Sequence, residues 1–484
     1  MQAQDRPSVP PAATAPSPSV SIPAQASLRP SSFRSRVTRT LASRNVLRAR
    51  RTDAAAVGLE DDTVEVTPLG MLDPFGGAAG TRAAVLELAL RESSWTIERI
   101  LAERAVEPLF QPIVELRDLH PVGVEALARG PVGSPLWRAR ELFAAAESAG
   151  RLADLDTLCA ERALETAAAF DVPLLFVNAE PAVVDLPLSE RLHHLMANAP
   201  FRMVLEYTER ALSTHPAALL QLAAAVQSHG HCLALDDVGA DPMSLAFLPL
   251  LEPEVVKLDL QLLRDPHAPR TVELVAAVNA VAEQTGATIV AEGIETPQDL
   301  ANARALGAHW GQGLLFGGPA PLPGQTFTSA PGALRSSRPG HHLPAGTPFE
   351  AAARRGRSRP ATAELFAAHL EHVLRRAGDD AVVLARCTDA DTARSWLPSL
   401  THLAGRAAFV GLVAPLHPAS VGPGVRFALG GNAPVEECAL VVVAPRYTAA
   451  VCGRNSAPVM EFAHTEDRTL VTEMARIILQ QLPR

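Results

Sequence analysis

Lysine is almost missing from this chain of 484 residues: among its 43 basic residues the only lysine is Lys257, and the rest are arginine. The exception marks a place that needs a compact ammonium and not a planar guanidinium. Aromatic residues are scarce at 4% against a hydrophobic content of 48%. Cores must then be built from Ala, Leu and Val, which favours helices and buried parallel strands over an aromatic-rich sandwich. The five cysteines, Cys159, Cys232, Cys387, Cys438 and Cys452, are scattered and form no Cys-x-x-Cys pair. That spacing excludes a disulfide framework and a zinc site, and implies reduced core residues of a cytoplasmic protein. A net charge of -9 leaves no basic footprint for bulk nucleic acid. No stretch approaches the ~20 apolar residues of a transmembrane segment and no signal-peptide pattern opens the chain, so a soluble protein is expected.

What is there falls into segments, and the length implies more than one folded domain. Residues 1–80 are expected to be a disordered, Pro/Ser/Arg-rich tail: 1–52 hold nine Arg against Asp5 alone, and 53–80 hold six acids and no base. From 81 to 321 short apolar runs alternate with amphipathic or Ala-rich stretches, the signature of repeated strand-helix units. Strands are expected over 109–114, 122–128, 174–177, 203–206, 232–235, 255–258, 288–291 and near Trp310, and helices over 152–169, 189–198, 216–228, 270–284 and 297–306. Eight strands is the count of a closed barrel, so the expected fold class is α/β, a modified (β/α)8 TIM-like barrel. The first two strands are too close in sequence for a crossover helix and should form a hairpin. Residues 322–360, with six prolines and six Arg, read as a flexible Pro/Arg-rich linker. Residues 361–484 read as a second, smaller α/β domain with strands over 381–384, 407–413 and 439–444 and a closing helix over 470–482. In it His464, Glu466 and Asp467 read as capping and surface residues.

Polar residues interrupt the barrel's apolar runs at one place each time. Glu125 lies in the second strand, Asn178 ends the third, Glu206 the fourth, Asp236 and Asp237 the fifth; Lys257 is in the sixth, Glu292 ends the seventh and Gln312 follows the eighth. In a parallel barrel these strand ends meet at the face where such folds keep their active sites. The adjacent Asp236 and Asp237 repel one another and call for a cation, and oxygen ligands without His or Cys match Mg²⁺ or Mn²⁺ over zinc. Shared between two ions ~4 Å apart, they make a site for in-line displacement at phosphorus, so phosphodiester hydrolysis is the expected reaction class. Lys257 would orient the nucleophilic water or offset charge on the transferring group, and Glu292 would serve as general base or further metal ligand.

At these residues the chain resembles the EAL-domain family, the cyclic di-GMP phosphodiesterases. Glu125-Ala126-Leu127 stands before Arg129, and Gln111-Pro112-Ile113 precedes it. Val177-Asn178, Leu205-Glu206 with Glu209, Asp236-Asp237, Lys257-Leu258-Asp259, Ala291-Glu292-Gly293-Ile294-Glu295 and Gln312-Gly313 follow in family order. The resemblance covers residues 97–321 and implies two divalent cations, Mg²⁺ or Mn²⁺, with hydrolysis of cyclic di-GMP to linear pGpG. It implies Glu125, Asn178, Glu206 and Asp236 as ligands of the first metal, and Asp236 with Asp237 for the second. It further implies Lys257, Glu292 and Gln312 as the catalytic, water-handling set, Gln111 and Arg129 as substrate contacts, Glu209 and Glu295 as loop supports, and a homodimer through the barrel. The family usually has Asp-Asp-Phe-Gly-x-Gly where this chain has Asp236-Asp237-Val238-Gly239-Ala240-Asp241. That departure is the ground for an alternative, a non-hydrolysing cyclic di-GMP receptor. Residues 461–468 and 470–473 resemble the DICT sensory domain, which implies control of the barrel by the C-terminal part.

Overall fold

The structure, a computed structural model, describes residues 95–180, 187–208, 215–238, 245–260, 268–322, 327, 334, 342–430, 436–456 and 459–483. The tail expected over 1–80 lies outside them. Eight strands close a barrel in sequence order: β1 (Glu107–Glu115), β2 (Pro121–Arg129), β3 (Leu174–Asn178), β4 (Arg202–Thr208), β5 (Cys232–Asp236), β6 (Val255–Asp259), β7 (Thr288–Glu292) and β8 (Trp310–Gln312). β1 runs antiparallel to both its neighbours, β2 and β8, and the remaining pairs are parallel. This is the expected hairpin. Helices Leu152–Ala167, Glu190–Ala197, Pro216–Ser228, Pro269–Thr285 and Pro297–Ala305 fall where the sequence places them. Three begin on proline, whose fixed φ suits a first turn and whose missing N–H costs nothing there. Helices Ala139–Ser148 and Leu248–Leu251 were not anticipated; the second is one turn long and too short to show a period.

Side chains alternate between lumen and outer layer, as a pleated strand requires. Ile113, Phe176, Val204, Ala234, Val255, Val290 and Trp310 form one buried lumen cluster, with the Phe176 and Trp310 rings edge to face at 6.5 Å. The next lumen-facing position on each parallel strand lies two residues further on. Those positions are Asn178, Glu206, Asp236, Lys257, Glu292 and Gln312. On antiparallel β1 the step runs backwards from Ile113, to Gln111. An apolar plug thus fills the barrel and a polar layer caps it.

A second, seven-stranded sheet has the order β12-β11-β10-β13-β14-β15-β9, from β9 (Arg359–Ala361), β10 (Val382–Cys387), β11 (Phe409–Ala414), β12 (Val425–Leu429), β13 (Glu437–Val443), β14 (Thr448–Ser456) and β15 (Val459–Thr465). Three of these, β10, β11 and β13, overlap the strands expected from the sequence. β12 is half exposed and lacks a continuous apolar run, and residues 461–465 of the DICT-like stretch are in β15. Asp467 does cap the closing helix Arg468–Leu479, accepting from Leu470 N–H, whereas His464 is a strand residue whose ring lies 4.8 Å from that of His369. Helix Ala390–Ala404, which carries Pro398, was also missed.

The linker expectation for 322–360 gives way at its C-terminal end. Thr347 and Glu350 make a reciprocal capping box that starts helix Pro348–Arg354, Phe349 is buried, and Arg359–Ala361 is the edge strand β9. The many prolines and arginines masked these local signals. The second sheet also packs on the barrel. Phe247 meets Phe409 edge to face at 5.7 Å, and buried Arg476 donates to Leu250 O at 2.7 Å and Pro249 O at 3.2 Å and pairs with Glu252 at 3.3 Å. No helix among the described residues is long and apolar enough to cross a membrane.

Arg476→Ala strips partners from two carbonyls and one carboxylate, so it is expected to destabilise the full chain by about 3 kcal/mol. Urea unfolding followed by circular dichroism checks this. A midpoint unchanged from wild type would show that the contact holds nothing together.

Candidate active site

Lys257 is fully buried at the centre of the polar layer. Its Nζ lies 2.5 Å from Glu292 Oε1, 2.7 Å from Glu206 Oε1, 3.5 Å from Glu125 Oε2 and 3.7 Å from Asp236 Oδ1. Four strands other than its own supply these acids. Around Glu125 the neutral amides close in: Asn178 Nδ2 donates to Oε1 and Gln312 Nε2 to Oε2, each at 2.6 Å, and Gln312 Nε2 also reaches Gln111 Oε1 at 3.2 Å. Gln111 Nε2 donates in turn to Gly317 O at 3.1 Å. A glycine at position 123, one lumen step below Glu125, lets β2 approach β3 closely, since a Cβ there would stand 2.6 Å from Leu174 O.

Asp237 follows the strand end in the left-handed region, at φ 56°, a conformation that Asp tolerates better than most residues. Its N–H donates to Asp236 Oδ1 at 2.9 Å, which holds the pair together. Asp236, Asp237 and Glu292 each offer a carboxylate oxygen, and the three lie within 4.8 Å of one another. Arg129 ends β2 with its Nη1 donating to Ala128 O at 2.8 Å. Glu295 is exposed, and its N–H donates to Asp299 at 3.2 Å. Glu209 and residues 239–244 lie outside the described residues.

One ammonium among four carboxylates leaves the layer short of positive charge. Burial works to raise the Glu125 carboxyl, but Lys257 and the donors Gln312 and Asn178 outweigh it and hold that carboxyl below the usual range. Burial pushes Glu206 well up against the pull of Lys257, with Glu125, Asp236 and Glu292 adding to the rise. It does the same to Glu292, where Asp236 is the next cause. Burial opposes the charge on Lys257, yet Asp236, Glu125, Glu206 and Glu292 together hold it protonated well above the ordinary lysine value. Glu206 Oε2 and Gln312 Oε1 are buried with no hydrogen-bond donor among the described residues. Orphaned oxygens, raised carboxyls and an all-oxygen donor set fit a hard divalent cation.

Asp156 was missed. It sits at a buried position of helix Leu152–Ala167 and accepts from Glu180 N–H at 3.1 Å, two residues after Asn178, which anchors the chain beyond that strand end. A carboxylate on the apolar side of that helix, between Leu155 and Cys159, was the available signal.

Fold and site together define a TIM-type barrel with an acidic, cation-accepting centre. Residues 95–319 match the family model described as EAL domain. The chain is 30% identical over 251 residues to the cyclic di-GMP phosphodiesterase NbdA of Pseudomonas aeruginosa, covering 49% of this chain and 32% of that protein. It is 27% identical over 257 residues to the probable cyclic di-GMP phosphodiesterase PdeB of Escherichia coli, covering 50% of this chain and 49% of that one. Among solved structures, the manganese/cy-diGMP complex of Klebsiella pneumoniae BlrP1 shares 28% identity with a TM-score of 0.40, over 45% of this chain and 56% of that one. The chain spans about a third to a half of the length of these curated relatives.

Burial raises the Asp156 carboxyl to about 7, so between its unfolded value near ~4 and that point the folded state holds a proton the unfolded state does not. Its contribution therefore falls as pH rises through this window. Asp156→Asn removes the dependence, and melting temperatures from pH 5 to pH 8 should decline less for the variant than for wild type. Parallel curves would contradict the assignment.

Proposed function

We propose that this chain hydrolyses cyclic di-GMP to linear pGpG with two divalent cations, Mg²⁺ or Mn²⁺, under control of its C-terminal, DICT-like part. The observation that carries the reading is the convergence of Gln111, Glu125, Asn178, Glu206, Asp236, Lys257, Glu292 and Gln312, one from each of the eight strands, into one connected polar layer. The phosphodiesterase relatives named above support the substrate. Glu125, Asn178, Glu206 and Asp236 would hold one cation, and Asp236 with Asp237 the other. Bound there, the cations would supply Lewis acidity to water and offset charge on the phosphodiester.

The chain's own residues do the rest. Gln312 fixes Glu125 through its amide N–H and leaves its carbonyl oxygen aimed into the layer, where it accepts a proton-bearing group. Lys257, held between Glu206 and Glu292, cannot swing away and presents fixed positive charge to the reacting oxygen. Glu292 serves as the base that takes up a proton from water, and Arg129 and Gln111 orient the substrate.

Incubating the full chain with cyclic di-GMP and Mn²⁺ or Mg²⁺ should yield pGpG by chromatography, and EDTA should abolish it. Binding by calorimetry with no product under either metal would establish the receptor reading in its place. Lys257→Arg replaces a compact donor with a wide fork inside a closed cluster, and should lower kcat by ~10²-fold or more while substrate affinity changes much less. Near-normal kcat in that variant would remove Lys257 from the chemistry.

A further inference from the structure

β10 and β13 are antiparallel neighbours, and their register sets Cys387 directly opposite Cys438. The next pair along, Thr388 and Glu437, is a hydrogen-bonded one, with Thr388 N–H donating to Glu437 O at 2.9 Å. Bonded and non-bonded pairs alternate along an antiparallel ladder, so the two cysteines occupy a non-bonded position, where Cα atoms stand about 4.5 Å apart and side chains are closest. That separation falls inside the range of about 4.4–6.8 Å that disulfides span. Both thiols lie on the same face of the sheet: Cys387 belongs to the core beneath helices Ala363–Arg376 and Ala390–Ala404, and Cys438 packs against it. Cys387 is fully buried, Cys438 is partly exposed, and both are reduced in this structure.

We propose that Cys387 and Cys438 are a redox pair that closes into a cross-strand disulfide by exchange with a low-molecular-weight disulfide such as oxidised glutathione. Cys438, the exposed member, is the sulfur that reacts first. The Cys387 thiol is pushed well up by its hydrogen bond to Cys438 and by burial, so it keeps its proton and donates toward the Cys438 sulfur. The Cys438 thiolate attacks one sulfur of the disulfide, forming a mixed disulfide and expelling one glutathione thiolate, which takes up a proton. Cys387 then gives its proton to water and attacks Cys438 Sγ, expelling the second glutathione. Two protein thiols lose two protons and two electrons, and one small disulfide becomes two thiols.

The remaining cysteines lack this geometry. Cys452 lies on the adjoining strand opposite Ala439, one register step away, and belongs to the core on the other face of the sheet. Cys232 is buried in the barrel lumen and Cys159 sits on helix Leu152–Ala167. The closed bond would tie β10 to β13 around the intervening helix Ala390–Ala404 and strands β11 and β12. That half of the sheet, otherwise joined to the rest through one strand pairing, would become covalently fixed.

The test equilibrates the full-length protein with oxidised and reduced glutathione at graded ratios, quenches in acid, alkylates free thiols under denaturing conditions and maps peptides by mass spectrometry. The expected result is a single cross-link joining the Cys387 and Cys438 peptides, with Cys159, Cys232 and Cys452 alkylated, and complete loss of the link after dithiothreitol. Cys387→Ser should stop at a glutathione adduct on Cys438, and Cys452→Ser should cross-link like wild type. Wild-type protein that halts at the Cys438 adduct, takes up no glutathione, or joins Cys438 to Cys452 would overturn the proposal. The wild-type map decides the matter even where a serine variant fails to fold.

Discussion

The ammonium of Lys257, enclosed by Glu125, Glu206, Asp236 and Glu292, is the constraint on which the barrel's polar end depends. Four acids brought to one place without a cation would repel one another in a medium that screens poorly. A single ammonium relieves part of that repulsion, and only part: burial first and the neighbouring acids second drive Glu206 and Glu292 upward, while Lys257 and two amide donors hold Glu125 down. The layer is therefore a charge deficit maintained by the fold. Arginine, used everywhere else in the chain, would not fit: a planar fork has no room where the side chain is fully enclosed.

The fold can carry this deficit because the apolar plug below the layer is complete. Phe176, Val204, Ala234, Val255, Val290 and Trp310 exclude water from the lumen and set the height at which each polar side chain emerges. The second sheet adds to this from outside. Arg476 and Phe409 fix the segment from Phe247 to Glu252, which lies between the strand ending in Asp236 and the strand that carries Lys257. Edge-to-face packing of this kind is worth about 1 kcal/mol beyond burial, and a buried guanidinium on two carbonyls adds more. The C-terminal part therefore bears on the connection between two site strands.

Much of the barrel was legible in the chain because its strands are buried on both sides and read as short apolar runs punctuated by one polar residue. Cys232 to Leu235 ending in Asp236 is the clearest case. The second sheet was less legible: β14 and β15 mix small, polar and apolar residues, and β12 is half exposed, so neither run length nor alternation marks them. The capping box at Thr347 was readable, but it stood among prolines and arginines that argued for a linker. Asp156 was hidden for a different reason. Its role is to hold a backbone N–H of another segment, which no local pattern encodes.

By itself the sequence determined which residue types could form the site, their order along the chain and the strand on which each would ride, because a period of two and the edges of apolar runs are local properties. It also determined that one lysine stood apart. Only the tertiary structure decided that Lys257 would touch four acids at once, that Asn178 and Gln312 would both bind Glu125, that Arg476 would lock onto Leu250, and that Cys387 would face Cys438. Those are distances between residues tens to hundreds of positions apart. They are set by strand register and barrel closure, and not by any neighbour in sequence.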